Sequence, residues 1–125
     1  MIKELQTKNI QEFISQNPKS VLIDVRTELE WDNVGKPDGN KINLKTYFLS
    51  IKNASGEINE NFLTQFANFN ISKDTEVLVI CKSGARSSLV SNILNDEEYK
   101  CTNITDGFEG NSSGNGWKKI GLPII

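Results

Sequence analysis

Cys81 closes an apolar run, Glu76–Ile80, and is followed by Lys82-Ser83-Gly84-Ala85-Arg86-Ser87. A thiol in that position can serve a phosphatase, a redox enzyme or a sulfur carrier, and it can equally be a plain core residue. The residues after it bear on the choice. A tight turn through Gly84 can aim several backbone N–H groups at one point, forming an anion-binding nest. A helix beginning near Ser87 adds its positive N-terminal end. Lys82 and Arg86 contribute two formal positive charges. All of these favour thiolate over thiol. A free cysteine titrates near about 8.5, and surroundings of this kind lower that to about 7.5 or well below. Each unit corresponds to about 1.4 kcal/mol of preference for the anion. The same donors can bind an anionic substrate and stabilise a negatively charged sulfur product.

The chain contains no histidine. That removes Cys-His and Ser-His catalysis and most zinc sites, so a reactive Cys81 must be activated by something other than imidazole, which its own loop can supply. No metal or organic cofactor is implied. Against the reactive reading stands the small, buried core cysteine, but a core cysteine needs no basic, glycine-containing turn directly after it. Lys82 reads equally well as solvated surface charge. Arg86 calls for a carboxylate partner, such as Asp24 or Glu28. The second cysteine, Cys101, follows the polar run Glu97–Lys100, which holds no activating group, and reads as an inert core or edge residue rather than a redox partner. Trp31 reads as core packing. Trp117, just after a glycine-rich segment, suits the core or the rim of a pocket.

The elements that must position these residues follow from hydrophobic periodicity. Ile10, Phe13 and Ile14 give a helical face over residues 8–16, stopped by Asn17-Pro18. Ser20–Val25 and Glu76–Ile80 are short, continuous apolar runs of the kind found in strands buried on both faces. Glu28–Val34 suits a short helix, residues 35–41 suit a turn, and Ile42–Leu44 a short strand. Asn59–Phe69 is an amphipathic helix with Phe62, Leu63, Phe66 and Phe69 as its core stripe. Ser87–Leu94 is a helix with Leu89, Val90, Ile93 and Leu94 inward, and Cys101–Thr105 is a strand. Alternation of apolar strands with helices predicts an α/β architecture with a parallel sheet covered on both sides. Sites on such sheets form at the carboxyl ends of strands, which singles out Asp24-Val25-Arg26 and Cys81.

At 125 residues the length suits one domain, 1–125. A composition of 37% hydrophobic and 24% charged residues is that of an ordinary globular chain. The net charge of −2 argues against nucleic acid or an anionic membrane as a partner. No segment has the apolar length of a membrane span or the core of a signal peptide, so a cytoplasmic location is expected, where a disulfide is disfavoured.

Cys81-Lys82-Ser83-Gly84-Ala85-Arg86-Ser87 after Glu76–Ile80 resembles the active-site loop of the rhodanese-like sulfurtransferases. The upstream Leu22–Trp31, LIDVRTELEW, resembles that family's first signature, an apolar strand ending in Asp-x-Arg with an acid and an aromatic shortly after. ITDGFEG and GWKKIGLP resemble its C-terminal section, so the likeness runs from about residue 5 onward. Cysteine-dependent phosphatases are similar at the loop but enclose five residues between cysteine and arginine. Here there are four, a smaller cradle that suits a persulfide sulfur better than a phosphoryl group. The family's usual histidine-containing segment after the first signature is VGKPDGNKINL here, and its late glycine pair is replaced by DGFEG with an inserted NSSGNG.

The resemblance implies a three-layer α/β fold, a five-stranded parallel sheet flanked by helices. It implies a sulfurtransferase in which Cys81 takes a sulfane sulfur from a small anionic donor such as thiosulfate. The sulfur would pass to a thiol, cyanide or a protein acceptor. Lys82, Ser83, Gly84, Ala85, Arg86 and Ser87 would surround the transferred sulfur, with Lys82 attracting the donor and Arg86 bracing the loop. Asp24 and Arg26 would support the site. Two other readings are a non-catalytic interaction module on the same fold and a small phosphatase or arsenate-reductase-like enzyme.

Overall fold

The computed structural model describes residues 2–125. Its elements in chain order are β1 (Lys3–Leu5), α1 (Ile10–Gln16), β2 (Ser20–Asp24), α2 (Glu28–Val34), β3 (Lys45–Phe48), α3 (Phe62–Ala67), β4 (Glu76–Ile80), α4 (Ala85–Asp96) and β5 (Lys100–Ile104). The five strands form one sheet in the order β1-β5-β4-β2-β3, and every pairing is parallel. The expected α/β architecture is therefore the observed one.

Successive strand residues point to opposite faces, and the two apolar clusters divide along that alternation. Val77, Val79 and Cys81 join Ile23, Phe62, Phe66, Val90 and Leu94 on one side. Leu78 and Ile80 join Leu22, Ile10, Ile14 and Trp117 on the other. The central strands β2 and β4 are buried on both faces, which is why they read as unbroken apolar runs.

Several expected elements moved. Ile42–Leu44 is not a strand. Gly39–Ile42 is a short 3-10 turn, Asn43 adopts a left-handed conformation at φ 62°, and the strand follows at Lys45–Phe48. The helix expected over 59–69 is confined to Phe62–Ala67, while the one expected from Ser87 to Leu94 extends from Ala85 to Asp96. Leu63 and Leu89 are 40% and 39% exposed rather than inward. In α4 the inward places beside Val90 and Leu94 are taken by Ser87 and Ser91. Among the described residues no helix is long and apolar enough to cross a membrane.

Candidate functional site

Cys81 is the first residue past β4, and the pleat carries its side chain to the α3–α4 side of the sheet, where it is 1% exposed. The chain then turns sharply. Gly84 sits at φ 105° as the N-cap of α4, and its N–H donates to Cys81 Sγ at 3.1 Å. The Ser87 hydroxyl lies 3.2 Å from the same sulfur. A Cβ at position 84 would come within 2.5 Å of the Thr105 carbonyl oxygen, so both the backbone angle and the space require glycine.

The late glycine-rich segment is the wall against which this loop is built. Phe108 N–H donates to the Cys81 carbonyl at 2.8 Å, Glu109 N–H to that of Lys82 at 3.0 Å, and the Asn111 side-chain amide to that of Ser83 at 2.8 Å. Gly107, at φ 61°, permits the approach, since a Cβ there would meet the Lys82 carbonyl oxygen at 2.4 Å. Asp106 anchors the segment from behind by accepting from the Thr7 backbone N–H, the Thr7 hydroxyl and the Gly116 N–H.

Arg86 is braced, by a different carboxylate from the two expected. Its Nη1 and Nη2 donate to Glu30 Oε1 and Oε2 at 2.6 and 2.9 Å. Glu30 stands at the third position of α2, in a capping box with Thr27, which turns it toward the loop. Partial burial raises the Glu30 carboxyl, but the bonds to Arg86 and Thr27 outweigh it and hold the group down at about 2. The Arg86 guanidinium is raised in turn by Glu30. Asp24 is unavailable to Arg86 because it pairs with Arg26. Arg26 Nε lies 3.1 Å from both Asp24 oxygens and Nη2 donates at 2.8 Å, with both side chains fully buried. Arg26 also donates to the Gly35 carbonyl and covers the Phe108 ring at 4.1 Å. This pair therefore ties β2 to the segment that backs the cysteine loop.

A groove of about 530 Å³ opens beside the loop, lined in part by Lys82, Arg86, Glu109, Leu29 and Lys52. Lys82, Ser83 and Ala85 are exposed, Arg86 is half-buried, and Gly84 and Ser87 are buried. The structure thus brings Cys81 and the loop residues 82–87 together, with Asp24 and Arg26 behind them. Glu30, Asn103 and Asn111 were not singled out from sequence. The capping pattern Thr27-x-x-Glu30 is the one signal that could have marked Glu30. Trp117 is fully buried and donates its indole N–H to the Pro123 carbonyl at 2.7 Å, so it is core rather than pocket rim. Trp31 packs edge-on against Phe48. Cys101 is buried, and desolvation, with the Glu76 charge adding to it, pushes its thiol up to about 12. No group of three or more histidine, cysteine or acidic residues able to hold a metal occurs among the described residues.

The model of the rhodanese-like domain matches residues 7–113, from the turn before α1 through β2–β5, the cysteine loop and most of its backing segment. The chain belongs to the rhodanese-like domain family. It is 36% identical over 125 residues to an uncharacterized protein of Rickettsia prowazekii (strain Madrid E), covering 98% of this chain and 97% of that protein. It is 30% identical over 106 residues to "Putative sulfurtransferase YtwF" of Bacillus subtilis (strain 168), covering 85% of this chain and 86% of the relative. Among solved structures it is similar to Rv0390 from M. tuberculosis, with a TM-score of 0.83 at 31% identity over 98% of this chain and 96% of the other.

Proposed function

We propose that this rhodanese-like protein is a sulfurtransferase that carries sulfane sulfur as a persulfide on Cys81. The observation that carries the reading is the Gly84 N–H aimed at Sγ from a loop that opens α4, with Lys82 and Arg86 on either side. Membership of the rhodanese-like family and the name of the B. subtilis relative point the same way.

In the proposed cycle the Cys81 thiolate attacks the outer sulfur of a donor such as thiosulfate. The sulfur–sulfur bond of the donor breaks, and sulfite leaves with the bonding pair. The terminal persulfide sulfur is an anion at the start of a helix, where backbone donors and the helix dipole lower its energy. An acceptor thiolate or cyanide then attacks that terminal sulfur. The bond to Sγ breaks, and Cys81 recovers the pair as thiolate. Lys82 is exposed and raises the local concentration of an anionic donor. Arg86, tied to Glu30, holds the loop rather than the substrate. A cytoplasmic setting, with reduced thiols at hand as acceptors, fits this chemistry.

Release of sulfite from thiosulfate, and of thiocyanate when cyanide is the acceptor, tests the reading. Both products are expected from the native protein and neither from Cys81→Ser. Turnover of an aryl phosphate with no sulfite release would instead support the phosphatase reading. Absence of both activities in a folded protein would support the interaction module.

A further inference from the structure

Asn103 lies on β5 in register with Val79, on the same face of the sheet as Cys81, and is buried. Its side chain makes two contacts. Nδ2 donates to the Gly84 carbonyl at 3.3 Å, and Oδ1 accepts from the Ser87 hydroxyl. The orientation of this amide is not free. A carbonyl oxygen can only accept, so the Asn103 face toward Gly84 must be the N–H₂, which turns Oδ1 toward Ser87.

The Ser87 hydroxyl has one proton and three candidate acceptors: Asn103 Oδ1, the Gly84 carbonyl and Cys81 Sγ. Asn103 Oδ1 is the nearest of them, the other two each standing at 3.2 Å. A proton given to Asn103 is not available to the sulfur. Ser87 Oγ then meets Sγ through a lone pair, an arrangement that suits a thiol S–H donating to Ser87 and opposes a thiolate.

We infer that Asn103 is a positioning residue that holds the Ser87 hydroxyl away from the Cys81 sulfur and so withholds one hydrogen bond from its thiolate. The inference rests on Cys81 being the reacting thiol. When the sulfur becomes anionic, the Ser87 O–H turns to it and gives up its bond to Asn103. Asn103 therefore opposes the activating groups of the loop, and the Gly84 N–H continues to donate to sulfur in either state. The charged groups on the loop and on the segments packed against it are Lys82, Arg86 of α4 with Glu30 of α2 across it, the Asp24–Arg26 pair at the end of β2, and Asp106 and Glu109 in the backing segment. None of them forms part of the Ser87–Asn103 chain. Because oxidation follows thiolate character, such a restraint also protects the empty enzyme from peroxide.

The test is the pH titration of thiolate ultraviolet absorbance in the full chain, with Cys81→Ser as the blank. Cys101, pushed up to about 12, stays silent below pH ~9. Asn103→Ala, and the volume-keeping Asn103→Leu should the alanine variant not fold, are expected to lower the Cys81 midpoint by about one unit, roughly tenfold in ionisation constant. Asn103→Asp, which keeps the acceptor and adds negative charge, is expected to raise it. In a Ser87→Ala background the effect of Asn103→Ala is expected to vanish. An unchanged midpoint in folded Asn103→Ala and Asn103→Leu would overturn the inference. So would an equal drop with and without the Ser87 hydroxyl, which would mean that water had entered a loosened core. The titration reads the thiol whether or not sulfur is ever transferred, so this outcome is separate from that of the sulfite assay.

Discussion

Cys81 and Cys101 are equally buried, at 1% exposure each, and belong to the same apolar cluster on the same side of the sheet. They differ in which end of a parallel strand they occupy. Cys101 is the second residue of β5, in register with Val77, near the amino end of the sheet. Its surroundings supply desolvation and the Glu76 carboxylate, and both push the thiol up. Cys81 lies past the carboxyl end of β4, where the chain turns into a helix through Gly84 and presents an N–H to the sulfur, with Arg86 in the first turn. Burial by itself makes a thiol inert. What can make one reactive in this fold is the strand-to-helix turn, and parallel strands place those turns at one end only.

The comparison can be broken most severely through the buried pair behind the carboxyl end. Arg26→Ala leaves the Asp24 carboxylate buried without a partner and is expected to cost about 3–5 kcal/mol in urea denaturation. No ion pair of this burial occurs among those described at the amino end, where Lys3 and Lys19 reach Glu76 and Asp74 as exposed lysines. Gly84→Ala comes next. It forces a side chain onto φ 105° and into the Thr105 carbonyl, at an expected cost of about 1–3 kcal/mol. By disturbing the N–H that faces Sγ it also slows alkylation of Cys81 at neutral pH, by about tenfold.

Glu30→Gln is expected to cost about 1 kcal/mol above pH 5, since the pair it breaks with Arg86 is partly exposed. The sign of its pH dependence follows from the lowered carboxyl. The contribution of Glu30 is fully present above its ordinary value near 4.5 and is lost as the pH falls through about 2. Denaturation curves of the native protein and Glu30→Gln should therefore converge across that window. The smallest effect belongs to Cys101→Ala, about 0.8 kcal/mol, comparable to one buried methylene, with sulfite release unchanged.

Much of this site was legible in the sequence because its signals are local. An apolar run, a cysteine, a glycine and an arginine lie within eleven residues of one another, and the central strands read as strands because they are covered on both faces. What escaped was either at an edge or distant in sequence. The strand β1 is three residues of an exposed edge, and β3 is mostly half-buried, so neither carries a continuous apolar signal. Sequence proximity to the first signature points Arg86 to Asp24 or Glu28, but Asp24 is committed to Arg26, and the helix turn that Thr27 caps presents Glu30 instead. Asn103 is a polar residue in a strand, and its place beside Ser87 depends on the pairing of β4 with β5, which no spacing within either segment encodes. Trp117 reads alike for a rim and a core until the C-terminal residues that cover it, with Pro123 accepting its N–H, are in place.

The central claim is that the carboxyl-end cysteine, and not its equally buried neighbour, carries sulfur. Its most direct test is intact mass spectrometry of the unreduced protein before and after thiosulfate, followed by peptide mapping of any adduct. One added sulfur atom, on Cys81 alone and removed by a reducing thiol, is the predicted result. Sulfur on Cys101, or none on a folded protein offered several sulfane donors, would contradict the account.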